Sequence, residues 1–467
     1  MSAYKDGNSL RAYREEIGLS QAKLAEVSGI SQHVLSSFEL GKTELSGELV
    51  SKLRASLKDN SFAQTVIERK KRYREHSYST RAHDPVRVAQ CKSTPGNNAY
   101  LDDLRMLERS TEPDFTALSL FAGCGGLSLG FRSAGCLIKG FVEIDEGLSG
   151  IYSANFPTTP RVGRSIQDVT DQEIQTFLSE NGPIDVLLGG PPCQGFSLAG
   201  KRKVDDPRNE LFHDYIRFVK NLRPKVAILE NVRLLTSMKN KSGQFVKDEI
   251  AREFRGLGYD VSLHEINAKD YGVPQHRERV IFIAVDKDTG RRPSLPAPRF
   301  SSYADLLKTH DQHRSFSDAC SDLPYLESGE SSDVHLHAAV AHPDHVIDWL
   351  WDVPQGSSAH DNEDPEKRPP SGYNTTYKRQ VWQEPAGTVQ TTFGMISGCR
   401  NVHPIATRAL TVREAARIQS FPDSYHFTGN LGTIRTGIGN AVPPLLARAI
   451  ACHVRTNILN LVEVSSL

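Results

Sequence analysis

Five short apolar runs, each stopped by glycine, an acidic residue or a charged stretch, constrain the fold of this chain more than any other feature. ALSLFAG starts at Ala117, GCLIKGFVEI at Gly135, IDVLLGG at Ile184, KVAILENV at Lys225 and VIFIAV at Val280. Each is too short for a buried helix and is rich in Val, Ile and Leu. The segments between them are amphipathic and long enough to form crossover helices. Buried strands that alternate with helices form a largely parallel sheet covered on both faces. The expected class is therefore α/β, with chemistry at the C-terminal ends of the strands, where open α/β sheets bind ligands.

Composition limits what else the chain can be. Its 467 residues are too many for one typical domain, and 56 basic against 56 acidic residues give no overall pull toward nucleic acid. The local balance differs: between Glu68 and Lys92, eight Lys or Arg face three acids. Such a stretch suits a solvated linker or contact with phosphates. No apolar run reaches the roughly 18 residues that span a bilayer, and the start MSAYKDGNSLRAYREE has no signal-peptide core. A cytoplasmic location is expected. The seven cysteines are scattered, without a CxxC pair, so neither a disulfide frame nor a metal site is expected.

The residues that can carry chemistry sit where the runs stop. LSLFAGCGGLSLGF, 118–131, brings a strand into Gly123, Gly125 and Gly126, which let backbone approach a cofactor closely. FVEID follows about twenty residues on, the spacing at which Glu143 reaches ribose hydroxyls. DVLLGGPPCQGFS, 185–197, delivers Pro191, Pro192 and Cys193 to a strand end, and the two prolines hold the thiol in place. KVAILENV carries Glu230 near its end, where an apolar strand tolerates a carboxylate only if it is paired or employed. In QHRERV, Arg277 and Arg279 are two apart and share a strand face.

Residues 9–57 have a different rhythm. Leu10, Ile17, Leu24, Val27, Ile30, Leu35, Phe38, Leu49 and Leu53 recur at helical spacing, and Gly29 falls between two short helices. Gln21, Leu24-Ala25, Gly29, Ser31, Glu39 and Gly41 resemble the Cro/repressor-type helix-turn-helix domain. The resemblance implies that the helix beginning near Ser31 enters a major groove, with Gln32, His33 and Ser36 facing base edges.

FAGCGG, PPCQGFS, ENV, QHRERV and GNAVPP occur in the order found in the DNA (cytosine-5) methyltransferase family, which the chain resembles over about 116–452. The resemblance implies a Rossmann-like fold and S-adenosylmethionine as methyl donor. It places the cofactor among Phe121, Gly123, Cys124, Gly125, Gly126, Glu143, Ile144, Ile166, Pro191, Leu211, Asn440 and Ala441. Near the adenine the family usually has Asp-Ile. Here Ser165-Ile166 stands there, so the polar contact is open between Ser165 and Asp168. Cys193 becomes the nucleophile that adds to carbon 6 of cytosine, and Glu230 the acid at ring nitrogen 3. Arg279 holds the base oxygen, while Arg277 and Gln275 support the Cys193 loop. The sequence names no group to remove the carbon-5 proton, and water could serve.

The expected division is a helix-turn-helix domain at 1–66, a basic polar linker at 67–114, a catalytic core at 115–286, a variable target-recognition region at 287–400 and a closing part of the core at 401–467. In the variable region Trp349 and Trp351 are expected to pack a small core. The expected substrate is a specific sequence in double-stranded DNA, with a cognate restriction endonuclease acting on the same site and operator DNA for the N-terminal domain. RNA methylation, or regulation by an inactive methyltransferase fold, are the alternatives. The full-sized variable region argues against the first, and intact Cys193, Glu230, Arg277 and Arg279 against the second.

Overall fold

The first apolar run forms the central strand. The computed structural model describes residues 6–16, 21–58, 82–109, 112–192, 211–240, 242–302, 310–370, 372–398 and 400–461. Strand β1 (Phe115–Leu120) is flanked by β2 (Cys136–Val142) on one side and β4 (Val186–Gly189) on the other. Beyond β2 lies β3 (Arg161–Gly163), and beyond β4 come β5 (Val226–Val232), β7 (Glu278–Asp286) and β6 (Tyr259–Asn267). The first five strands pair in parallel, whereas β7 runs antiparallel to both β5 and β6. Two apolar clusters, one from each alternating set of strand side chains, cover the faces: Ala117, Val186 and Ile228 on one, Leu118, Leu187 and Leu229 on the other. Both faces being buried explains why the runs are continuous rather than alternating.

The five runs coincide with β1, β2, β4, β5 and β7. Strands β3 and β6 are additions. Strand β6 is an edge with most residues only partly buried, so YDVSLHEIN lacks the apolar density by which the others are recognised.

The expected linker is different in kind where the structure describes it. From residue 82 the chain forms two helices that pack on the sheet unit, and residues 67–81 lie outside the described set. Following the helix-turn-helix helices α1 (Gly7–Glu16), α2 (Gln21–Ser28), α3 (Gln32–Glu39) and α4 (Gly47–Lys58), these are α5 (Pro85–Gln90) and α6 (Pro95–Met106). Each starts on a side-chain cap, Asp84 or Thr94, with proline in the first turn. Tyr100, Leu104 and Leu107 enter the main core. Arg87 lies over the Trp351 ring at 4.0 Å and donates to the Trp351 carbonyl at 2.6 Å and to Thr407 Oγ1 at 2.9 Å. The many polar residues of this stretch conceal a thin apolar stripe.

The stretch 287–400 is likewise not one unit. Phe316, Ala319, Leu323, Trp382, Ala386, Val389 and Phe393 belong to the main core. A smaller cluster of Val346, Trp349, Leu350, Ala359 and Ile396 lies apart and includes Val402 and Ala409. Trp349 is buried there, whereas Trp351 is half-buried beneath Arg87. With few regular elements, the loop carbonyls need other donors. Arg379 supplies them: its guanidinium donates to the carbonyls of Leu350, Val353, His403, Ile405 and Ala406 at 2.7–3.1 Å.

Below this cluster lies a buried polar layer with a consequence for acid stability. Arg408 forks Glu414 at 2.7 and 2.8 Å, and burial lowers the pKa of His337, His342 and His403. His342 Nε2 accepts the Ala409 N–H, and His403 Nδ1 accepts those of Ile405 and Ala406, so both nitrogens must be unprotonated. Burial, reinforced by Arg408, pulls His342 from 6.5 to about 4. Between those pH values the unfolded chain binds the proton and the folded one does not, so stability rises with pH and is lost as pH falls. His342 alone should cost on the order of 3 kcal/mol across that window. Urea unfolding between pH 7.5 and 4.5 should show this acid loss, reduced in His342→Gln; an identical pH dependence in the variant would remove His342 from the explanation.

Candidate active site

Strand β1 ends in a turn that bends back on itself. Phe121, Gly123 and Gly125 all have left-handed backbone, at φ 52°, 57° and 91°, a geometry that suits glycine and strains Phe121. A side chain at Gly123 would point into open space, whereas one at Gly126 would lie 2.4 Å from the Val442 carbonyl. The turn thus presents bare backbone outward and packs its other side on the GNAVPP segment.

Glu143, just past β2, fixes this turn. One carboxylate oxygen accepts the Gly123 N–H at 2.7 Å and the other accepts the Asp145 N–H at 2.9 Å. Burial raises its pKa despite these donors. Both oxygens keep lone pairs for a further donor, such as a sugar hydroxyl. Next to it Ile144 is 62% exposed, an apolar side chain at a sheet end positioned to cover a flat ring. Bare glycine backbone, a buried acceptor and an open apolar side chain together fit S-adenosylmethionine.

The other expected cofactor residues divide by placement. Cys124 is buried, with its thiol against Gly437 and pushed up to about 12 by burial, so only its backbone is available to a ligand. Ile166 is buried in the core beside Val169, and Leu211 packs against the same cluster. Ser165 Oγ accepts the Gln167 N–H at 3.2 Å, and Asp168 is exposed. Pro191 and Ala441 are buried, while Asn440 is exposed at the end of helix Leu431–Asn440.

The acid and the arginines converge from separate strands. Strands β5 and β7 pair with Val232 opposite Arg279, and Arg279 Nε lies 2.8 Å from Glu230 Oε1. Both side chains are about nine-tenths buried, and burial lowers the Arg279 pKa against the opposing pull of Glu230. A side chain at Gly190 would lie 3.0 Å from Glu230 Oε2, so the carboxylate rests on the segment leading into Cys193. Asn231 donates to the Pro191 carbonyl at 2.8 Å and ties that segment to β5. Cys193 itself lies outside the described residues.

Arg277 is fully buried and turned toward the end of the chain. It donates to the carbonyls of Val389 at 3.2 Å and of Gly439 and Ala441 at 2.9 Å each. Burial, and then the neighbouring Arg279, push its pKa well down. Gln275 is buried beside it, donating to Gln419 and accepting the Val389 N–H at 2.9 Å. Among the described residues these two therefore hold the Val389 segment and the GNAVPP segment against β7. Asn231, Val389 and Gln419 carry no signal of these roles in the sequence, because their partners are far away in the chain.

A cleft of about 390 Å³ opens beside the Glu230–Arg279 pair, lined by Arg233, Asn267, His276, Arg279, Thr388 and Arg400 among others. It is strongly polar, and β6, β7 and the segment holding Thr388 and Arg400 all contribute to it.

In the N-terminal unit, Gln32 and His33 are exposed on the first turn of α3 and Ser36 is half-buried, while Leu35 and Phe38 face inward. Ser31 caps the helix through the Val34 N–H. A buried fork from Arg14 to Glu39, at 2.7 and 2.8 Å, with Gln21 donating to the same carboxylate at 2.7 Å, fixes α1, α2 and α3 together.

Known proteins resemble the chain in both its sheet part and its N-terminal unit. Residues 115–455 match the model of the C-5 cytosine-specific DNA methylases, and residues 10–58 match a helix-turn-helix model. The chain is 36% identical over 373 residues to the type II methyltransferase M.DdeI of Desulfomicrobium norvegicum, covering 72% of this chain and 87% of that one. It is 38% identical over 342 residues to M1.HphI of Haemophilus parahaemolyticus, covering 72% and 85%. A solved structure described as a DNA modification methyltransferase encoded within an E. coli prophage superposes with a TM-score of 0.58 at 25% identity, covering 74% of this chain and all of that one. The chain belongs to the C-5 cytosine-specific DNA methylase family and carries a helix-turn-helix unit ahead of its catalytic part.

Proposed function

We propose that the chain methylates carbon 5 of cytosine within a specific duplex sequence as the modification enzyme of a restriction system, using S-adenosylmethionine and protecting sites from a cognate endonuclease. The observation that carries this reading is the buried Glu230–Arg279 pair at the sheet end, seated on the Gly190–Pro192 segment that leads into Cys193. When bound, S-adenosylmethionine supplies a methyl group on a positively charged sulfur. Glu143, Ile144 and the bare backbone of Gly123 are the residues suited to hold its nucleoside end.

Carbon 5 of cytosine is a poor nucleophile within its aromatic ring. Addition of the Cys193 thiolate to carbon 6 makes it enamine-like, able to attack the methyl group. Negative charge builds on the ring, and a proton shared between Glu230 and ring nitrogen 3 offsets it. Arg279 orients that carboxyl and offers its charge to the base oxygen. Water then takes the carbon-5 proton, the freed electron pair reforms the 5–6 double bond and expels Cys193 as its thiolate, and the proton on nitrogen 3 returns to Glu230. The target atom is unreachable in a stacked duplex, so the base must be flipped, at a cost of a few kcal/mol. Incubation with tritiated S-adenosylmethionine tests the reading: label should enter duplex DNA, and label entering only transfer RNA would refute it.

The N-terminal unit supports a second role, repression at an operator, because α3 presents Gln32 and His33 outward on a helix fixed by the Arg14–Glu39 fork. Gln32→Ala combined with His33→Ala should weaken operator binding about tenfold or more while leaving methylation of other duplexes unchanged. Unchanged operator binding would argue against these contacts.

A further inference from the structure

The cations in the cleft are not equivalent. Arg233 is committed to two carboxylates, Glu265 at 3.1 Å and Glu278 at 3.0 Å. Arg279 is committed to Glu230 at 2.8 Å. Thr388 donates its hydroxyl to the His276 carbonyl at 2.6 Å. Arg400 differs from all of these: among the described residues no carboxylate is within salt-bridge distance of its guanidinium, and it is exposed at the cleft wall. Its charge nevertheless reaches His276 on the cleft lining, where it contributes to lowering the His276 pKa after burial, Lys269 and His313.

The backbone holds this arginine in place. Its N–H donates to the Thr375 carbonyl at 3.2 Å, and its stem lies flat on Gly387, where a side chain would come within 3.2 Å of its Cδ. A long cation whose stem is packed and whose head is unpaired loses less entropy on binding an anion than a free surface lysine does. Arg279 of the Glu230–Arg279 pair also lines this cleft, so an anion reached by Arg400 shares the cleft with the groups proposed to read the base.

We propose that Arg400 binds a backbone phosphate next to the flipped cytosine and so fixes the nucleotide in the cleft. This rests on the duplex-DNA reading above. The guanidinium fork suits two phosphate oxygens, and Gly387 is the residue that leaves room for the stem.

The test measures binding of the full-length protein to plasmid-derived duplex DNA over 50–200 mM KCl, alongside methylation kinetics. Loss of one phosphate contact should make the slope of log K against log salt shallower by about 0.9. Arg400→Gln should show that change, with DNA binding weakened roughly tenfold, KM for DNA raised, and kcat and KM for S-adenosylmethionine unchanged. Arg400→Lys should keep the wild-type slope, which loss of a merely structural contact would not explain. Gly387→Ala, crowding the stem, should fall between. An Arg400→Gln slope equal to wild type would overturn the proposal, whatever the affinity. Wild-type protein without salt-dependent duplex binding would overturn the duplex reading itself, a separable result.

Discussion

Glu230→Gln will lower kcat for methyl transfer to DNA by about 10²–10⁴-fold, with far smaller changes in the KM values for DNA and cofactor. Glutamine keeps the shape and can still accept from Arg279, but it cannot share a proton with ring nitrogen 3 as charge develops. The packing around Glu230 should tolerate the swap, since Gly190 already leaves room for Oε2. Single-turnover kinetics separate the chemical step from product release, and the loss should appear in that step. A variant within threefold of wild type there would remove Glu230 from the chemistry and leave the pair a structural feature.

Arg277→Ala should unfold or loosen the closing part of the catalytic unit. Its guanidinium serves carbonyls 112, 162 and 164 residues away in the chain. Gln419 also donates to the Ala441 carbonyl, so that one keeps a partner, whereas Gly439 and Val389 lose theirs. Each buried acceptor left without a donor costs about 1–3 kcal/mol, so a total loss of about 3 kcal/mol or more is expected. Thermal unfolding should show a drop of roughly 5 °C or more. Arg277→Lys should restore little, because a single ammonium cannot fork across separate carbonyls. Full stability in Arg277→Ala would mean that these carbonyls find other donors.

These two residues mark how far the sequence alone could be read. Glu230 is legible because a carboxylate inside KVAILENV contradicts its surroundings, and such a contradiction needs a cause. Arg277 is legible only as a neighbour of Arg279 on one strand face. Period-two spacing gives direction and says nothing of partners more than a hundred residues distant. The central strands announce themselves because both their faces are buried. The edge strand β6 does not, since its exposed positions dilute the pattern.

The same reasoning accounts for α5 and α6, which read as linker. Their buried residues are few and their neighbourhood is basic, yet Tyr100 and Leu104 are wholly within the core. In the stretch 287–400 regular elements are few, and Arg379 satisfies the Leu350 and Val353 carbonyls that a sheet or helix would otherwise satisfy. A buried arginine in such a segment looks, in sequence, like any surface charge. The glycine turn after β1 reads in sequence as a place where backbone can approach a cofactor, whereas the role of Glu143 in holding that turn through Gly123 emerges only from the geometry.

Covalent trapping tests the central proposal most directly. Duplex DNA in which every cytosine is replaced by 5-fluorocytosine offers the target whatever the recognition sequence. After methyl transfer its carbon 5 has fluorine in place of the proton that must leave, so Cys193 should remain bound to carbon 6. The expected result is a protein–DNA adduct that survives denaturation, requires S-adenosylmethionine, maps to the peptide containing Cys193 and is absent in Cys193→Ala. No adduct from protein that methylates ordinary duplex DNA, or an adduct formed equally by Cys193→Ala, would contradict it.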